Sequence, residues 1–125
     1  MSTTPDSLKA RIDAELLVVD DPRVVALVRS LLVDPTPTAL DWDYGALDER
    51  YASWIVLDDT VGSNTAIAYC EQGFGPKSPW GLIFAESADG RRPMGMDSAW
   101  FSTFMEAFFD SMPALEIERW GPCAG

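Results

Sequence analysis

The chain has 125 residues, of which 20 are acidic and 9 basic, giving a formal net charge of -11, and it has no histidine. The charge repels nucleic acid and anionic membranes and draws basic partners, and the missing histidine removes the commonest acid–base group and metal ligand near neutral pH. An apolar content of 47% with five Trp, six Phe and three Tyr argues against a disordered chain, and the length suits one globular domain.

Met1 to Ser7 carries neither the basic region nor the apolar core of a secretory signal, and no run approaches the roughly 20 apolar residues of a membrane span. The expected location is the cytoplasm. Residues 1–6 read as a polar arm leading to a helix cap. Leu8, Ile12 and Leu16 then recur every fourth residue between charged neighbours, which predicts a helix ending near Val19. Asp20-Asp21-Pro22 restarts a helix, with Asp21 as cap and Pro22 at the first helical position. Its apolar run predicts a helix to about Val33. Asp34-Pro35-Thr36-Pro37-Thr38 stops it, because each proline disfavours helix for the residue before it.

Residues 39–50 predict a loop around Trp42 and Tyr44, then one helical turn at Ala46–Arg50. Three strands follow at Tyr51–Leu57, Asn64–Glu71 and Trp80–Glu86. Their short linkers, Asp58–Ser63 and Gln72–Pro79, argue for an antiparallel meander. The first of these strands is apolar on both faces, so it is expected to be central or covered on both sides. Ser87–Gly95 is a polar loop containing the turn dipeptide Asp89-Gly90 and the basic pair Arg91-Arg92. Asp97 is placed to cap a last helix in which Trp100, Phe101, Phe104, Met105, Phe108, Phe109 and Met112 form a broad core-facing stripe. Pro113 ends it. Leu115–Trp120 alternates with period two, which predicts a short final strand, and 121–125 is a tail. The expected fold is α+β: a single small domain, with an antiparallel sheet of three to four strands packed against helices in the order α-α-β-β-β-α-β.

The most unusual segment is Glu71–Gly81, where three glycines, two prolines, Phe74 and Trp80 share eleven residues. Glycines let a backbone approach a ligand, and prolines lower the ordering entropy of a loop. One reading is a preformed recognition loop with Phe74 and Trp80 as anchors and Lys77 as its charge. The other is a rigid hairpin connection whose aromatics cap the core. Gly73-Phe74-Gly75 lacks the third glycine of a dinucleotide fingerprint, and no Walker triplet occurs. A second feature is the acidic cluster Asp41, Asp43, Asp48, Glu49, Asp58 and Asp59, which suits a solvated face, a basic partner surface or a hard cation such as Ca²⁺. Its spacing does not continue an EF-hand loop.

Cys70 lies in an apolar run and Cys123 near the C-terminus. The expectation is two thiols, with a bridge only if the tail folds back. Ser63 lacks a nucleophile elbow, no histidine activates Ser or Cys, and nothing implies a catalytic residue, metal or cofactor. Met94-Gly95-Met96 suits either an adaptable contact surface or a plain entry to the last helix.

The leading expectation is a small acidic, non-catalytic protein-binding module for a basic protein partner. Its contact residues are Phe74, Lys77, Trp80, Trp42, Tyr44, Asp41, Asp43, Asp58 and Asp59, with no nucleic acid and no membrane involved. Small acidic inhibitors of basic enzymes, such as bacterial immunity proteins that neutralise nuclease toxins, are similar in size and charge, although no shared motif carries the likeness. The alternatives are a small-molecule binder or enzyme, with a site between the sheet and the last helix near Tyr69, Trp80 and Trp100, and a homodimer built on the two-faced strand.

Overall fold

The computed structural model describes residues 3–42, 49–86 and 93–120. Tyr44, Asp43, Asp48, Arg91, Arg92 and Cys123 lie outside the described residues. So do most of the helical turn expected at 46–50 and one end of the Cys70–Cys123 pairing.

Helix α1 (Pro5–Leu16) opens on a capping box in which Ser7 N–H donates to Thr4 Oγ1 and Thr4 N–H donates to Ser7 Oγ. It therefore begins inside the stretch expected as an arm. Leu8, Ile12 and Leu16 form its buried stripe, as their spacing requires. Helix α2 (Pro22–Leu31) starts where Asp21 Oδ1 accepts Arg23 N–H at 2.9 Å.

Five strands then form one sheet: β1 (Leu32–Asp41), β2 (Arg50–Asp59), β3 (Thr65–Tyr69), β4 (Trp80–Phe84) and β5 (Trp100–Phe101). They lie side by side in chain order, each antiparallel to the next. The protein is α+β and its sheet is the expected meander, with one further strand at each edge.

Strand β1 replaces the expected stop at Asp34–Thr38. Two prolines are tolerated because β1 is an edge strand, where a missing N–H need not break a ladder, and the register shift between Leu32 and Thr36 absorbs Pro35. Between β2 and β3 the turn-forming linker makes a one-turn helix, α3 (Thr60–Ser63), that ends at Asn64 with φ +54. The Asn64 side chain then extends the sheet: its Nδ2 donates to Glu86 C=O at 2.9 Å and its Oδ1 accepts Glu86 N–H at 2.8 Å.

Both faces of the sheet are covered. On one face Val56, Leu57, Ile67, Tyr69 and Trp80 pack against α1, α2 and the last helix. On the other, Ile55, Ala66, Ala68, Cys70 and Ile83 pack with Leu40, Met94 and Trp100. A register shift in β2 between Ile55 and Leu57 puts the adjacent Val56 and Leu57 on the same face, which is how that strand comes to be apolar throughout.

The helix expected from Asp97 to Met112 is broken. A 3₁₀ turn (Asp97–Ala99) leads into β5, and Thr103 caps a shorter helix, α4 (Phe104–Phe109), by accepting Glu106 N–H at 3.1 Å. Trp100 joins the second core while Phe101 packs on the first. Consecutive residues reach opposite faces in a strand and not in a helix. Glu15 of α1 fastens the start of α4, its carboxylate accepting the N–H groups of Phe104 (3.1 Å) and Met105 (2.9 Å).

The final strand expected at 115–120 is instead part of a 3₁₀ helix (Met112–Arg119). Ala114, Ile117 and Trp120 meet the first core at intervals of three, the 3₁₀ repeat.

Gly81 is required by a close approach. A Cβ there would sit 2.3 Å from Cε2 of Trp100, whose ring lies against this position. Gly81→Ala is expected to lower stability by about 1–3 kcal/mol through overpacking, read as a lower urea midpoint. An unchanged midpoint would contradict this seating of Trp100.

Candidate functional site

The structure separates the residues singled out in the sequence. Trp80 is a core residue, fully buried, with its ring 4.8 Å from Tyr69 and 5.7 Å from Phe104. It presents no surface to a partner. The same packing fills the space between sheet and last helix near Tyr69 and Trp80, and Trp100 lies on the opposite face. Phe74 and Trp42 are half-buried and do meet, edge to face at 5.2 Å, in a chain of rings running from Tyr51 to Trp100. The Gly73–Pro79 turn is thus pinned on the second face as a cap on that core. Lys77 stands exposed on it.

The acidic cluster divides. Asp41 is buried, 3.0 Å from Arg50 Nε, and its C=O accepts Met94 N–H at 3.0 Å. Asp58 and Asp59 lie at the other end of β2, about 25 Å away by strand rise. Asp58 accepts the N–H and hydroxyl of Thr60, and Asp59 accepts the Ser63 hydroxyl at 2.8 Å. Among the described residues no group of three or more Cys, Asp or Glu is placed to hold a metal ion. No helix among them is long and apolar enough to cross a membrane.

A polar network joins α1 to the end of β3. Arg11 Nη1 donates to the Tyr69 hydroxyl at 2.7 Å, and Tyr69 donates to Glu71 Oε1 at 2.9 Å, which also accepts the Thr3 hydroxyl. The Arg11 guanidinium stacks 5.0 Å above the Tyr69 ring and 5.4 Å above that of Trp80. Hydrogen bonds from Thr3 and Tyr69 hold the Glu71 carboxyl below its usual range, while burial and the bond to Glu71 raise the Tyr69 phenol. The Glu49 carboxylate likewise raises the phenol of Tyr51.

A group of exposed apolar side chains lies elsewhere, where β4, α4 and the 3₁₀ helix meet. Phe84 is 64% exposed, Met112 57% and Leu115 49%. Two grooves share Met112. One, of about 260 Å³, is lined by Leu82, Phe84, Pro93, Met94 and Asp110 among others. The second, of about 430 Å³, runs past Leu115 between Asp59, Glu116 and Arg119. Asp59, Asp110 and Glu116 thus border the strip, opposed by Arg119 alone among its described lining residues.

Of the contact residues expected from the sequence and described by the structure, Asp59 alone lines these grooves. Phe84 and Met112 escaped notice because they read as ordinary core positions of a strand and a helix. The Met94-Gly95-Met96 signal pointed to the right region, although Met94 itself is buried. Compared with protein-family models, curated proteins and solved structures, the chain matches none.

The raised phenols provide a test of the network. A folded protein that holds a proton more tightly than its unfolded chain gains stability that is complete below the unfolded pKa, near pH 10 for tyrosine, and is lost as pH rises through the folded value. Absorbance titration of the native protein should show two tyrosines ionising above the ordinary range, and Tyr69→Phe should remove one of them. Ordinary titration of all the tyrosines would contradict the network.

Proposed function

We propose that the protein is a small acidic, non-catalytic binding module, an inhibitor or immunity-type binder acting in the cytoplasm on a basic protein. The observation that carries this reading is the exposed strip of Phe84, Met112 and Leu115 bordered by Asp59, Asp110 and Glu116. Burial of the apolar strip supplies affinity, and the carboxylates speed encounter and set orientation. The net charge of -11 acts in the same direction at longer range.

Asp110 supports the reading independently. It is the C-cap of α4, where the partial negative charge of the helix end disfavours a carboxylate. The helix itself does not call for a carboxylate at that position.

The test is affinity capture with tagged protein, eluted in rising salt and compared with the Asp110→Lys/Glu116→Lys double variant. The native bait should hold a basic protein that salt releases, and the variant should hold it at least about tenfold less tightly (about 1.4 kcal/mol). Asp110→Lys alone should leave stability unchanged or raise it by about 0.3–1 kcal/mol. Equal retention by the double variant would remove this face from the proposal. Retention indifferent to salt would remove the basic partner.

A further inference from the structure

We infer that the outer edge of β4 is a docking site for an extended segment of the partner protein, which adds to the sheet as a further strand at Phe84. This inference rests on the binding-module reading above and deepens it.

Cys70 N–H donates to Pro79 C=O at 2.8 Å and Ala85 N–H donates to Asn64 C=O at 3.0 Å. Antiparallel pairing alternates, so Pro79, Gly81, Ile83 and Ala85 direct their backbone polar groups toward β3. Trp80, Leu82 and Phe84 direct theirs outward. Trp80 meets Phe101 of β5, but β5 is only two residues long and its register ends at Gly81–Trp100. Beyond it, among the described residues, no strand pairs with Phe84 from that side.

The space beside this edge is shaped for a strand. The groove takes Asp110, Ser111 and Met112 from one side of the sheet and Pro93, Met94 and Gly95 from the other. Between them Leu82, Ile83 and Phe84 of β4, with Thr65 of β3, form its floor. An unpaired, apolar edge is what native proteins ordinarily blunt with lysine, proline or a bulge. Here the edge residue is an exposed phenylalanine. Backbone pairing would supply affinity, and pockets for alternate side chains would supply selectivity.

Charge complementarity decides the occupant. Asp110 is the one charged residue among those described as lining this groove, and Glu116 and Asp59 border the groove that continues from Met112. In an added strand positions i and i+2 share a face, so a segment with an apolar residue and a Lys or Arg two positions apart would place the apolar side chain against Phe84 and Met112 and the cation near these carboxylates on the same side. A second copy of this chain would bring another charge of -11 to the same surface, which opposes self-pairing.

The test uses a blocked Val/Lys octapeptide with the repeat Val-Thr-Lys-Thr, which puts Val and Lys on one strand face, titrated into the ¹⁵N-labelled full chain. Its controls are the Val/Glu counterpart and the Val/Lys peptide N-methylated at every residue. The expected result is saturable shifts of the Phe84 and Met112 amides with Val/Lys alone, weakened at least tenfold in Phe84→Lys. That side chain is exposed, so the variant should retain the native amide spectrum elsewhere. Equal binding of the N-methylated peptide, or no shift at millimolar peptide, would overturn the inference. Shifts centred on Trp42 and Phe74 would overturn the edge site while leaving the basic-partner reading intact. Equal binding of Val/Glu at Phe84 would sustain the edge and overturn the basic-partner reading. A mass that doubles with concentration while Phe84 shifts would assign the edge to a second copy and overturn the inference.

Discussion

Gly81 has no side chain, and Trp100 occupies the space that a Cβ would fill. The indole is fixed there by its own hydrogen bond, Nε1 to Met94 C=O at 2.8 Å. With Trp100 committed to the second face and Phe101 to the first, the chain has two residues of strand between the 3₁₀ turn Asp97–Ala99 and the cap of α4 at Thr103. The antiparallel register Gly81–Trp100 puts that 3₁₀ turn, and not a strand, at the positions that would pair with Leu82 and Phe84. Strand β5 therefore stops short of the Phe84 end of β4.

The two faces of the sheet divide the work. The helical face holds the larger core, with Trp80 at its centre and α1 tied to α4 through Glu15. The opposite face is closed without helices by Leu40, Met94, Trp100 and the half-buried rings of Trp42, Tyr51 and Phe74. Pro76 and Pro79 of the Gly73–Pro79 turn therefore lower the cost of holding Phe74 in place over that core. An interior strand covered on both faces accounts for the apolar character of β2 without a dimer.

What the sequence disclosed was governed by periodicity. Leu8, Ile12 and Leu16 announced α1, and Asp21-Pro22 announced α2, because caps and stripes are local properties. The three central strands were legible for the same reason. The prolines of β1 concealed a strand because edge status is set by the finished sheet. The stripe from Trp100 to Met112 suggested one helix, since seven apolar residues in thirteen satisfy a helical face. Only the contact with Gly81, nineteen positions earlier, selects strand for Trp100. The docking face was the least legible element. It is defined by which backbone groups lack a partner, a property of topology that no local pattern encodes. Asp59 was noticed for its charge, Met112 only as a core position of the expected helix, and Phe84 only as part of a strand.

The account turns on whether the outer edge of β4 is open in the free protein. Native-state amide exchange of Ile83, Phe84 and Ala85, resolved residue by residue by NMR, addresses this without knowledge of a partner. The account predicts slow exchange at Ile83 and Ala85, which donate toward β3, and exchange at least a hundredfold faster at Phe84 (about 2.7 kcal/mol). Equal protection of all three amides would mean that the edge is already covered, and would contradict the proposed docking site.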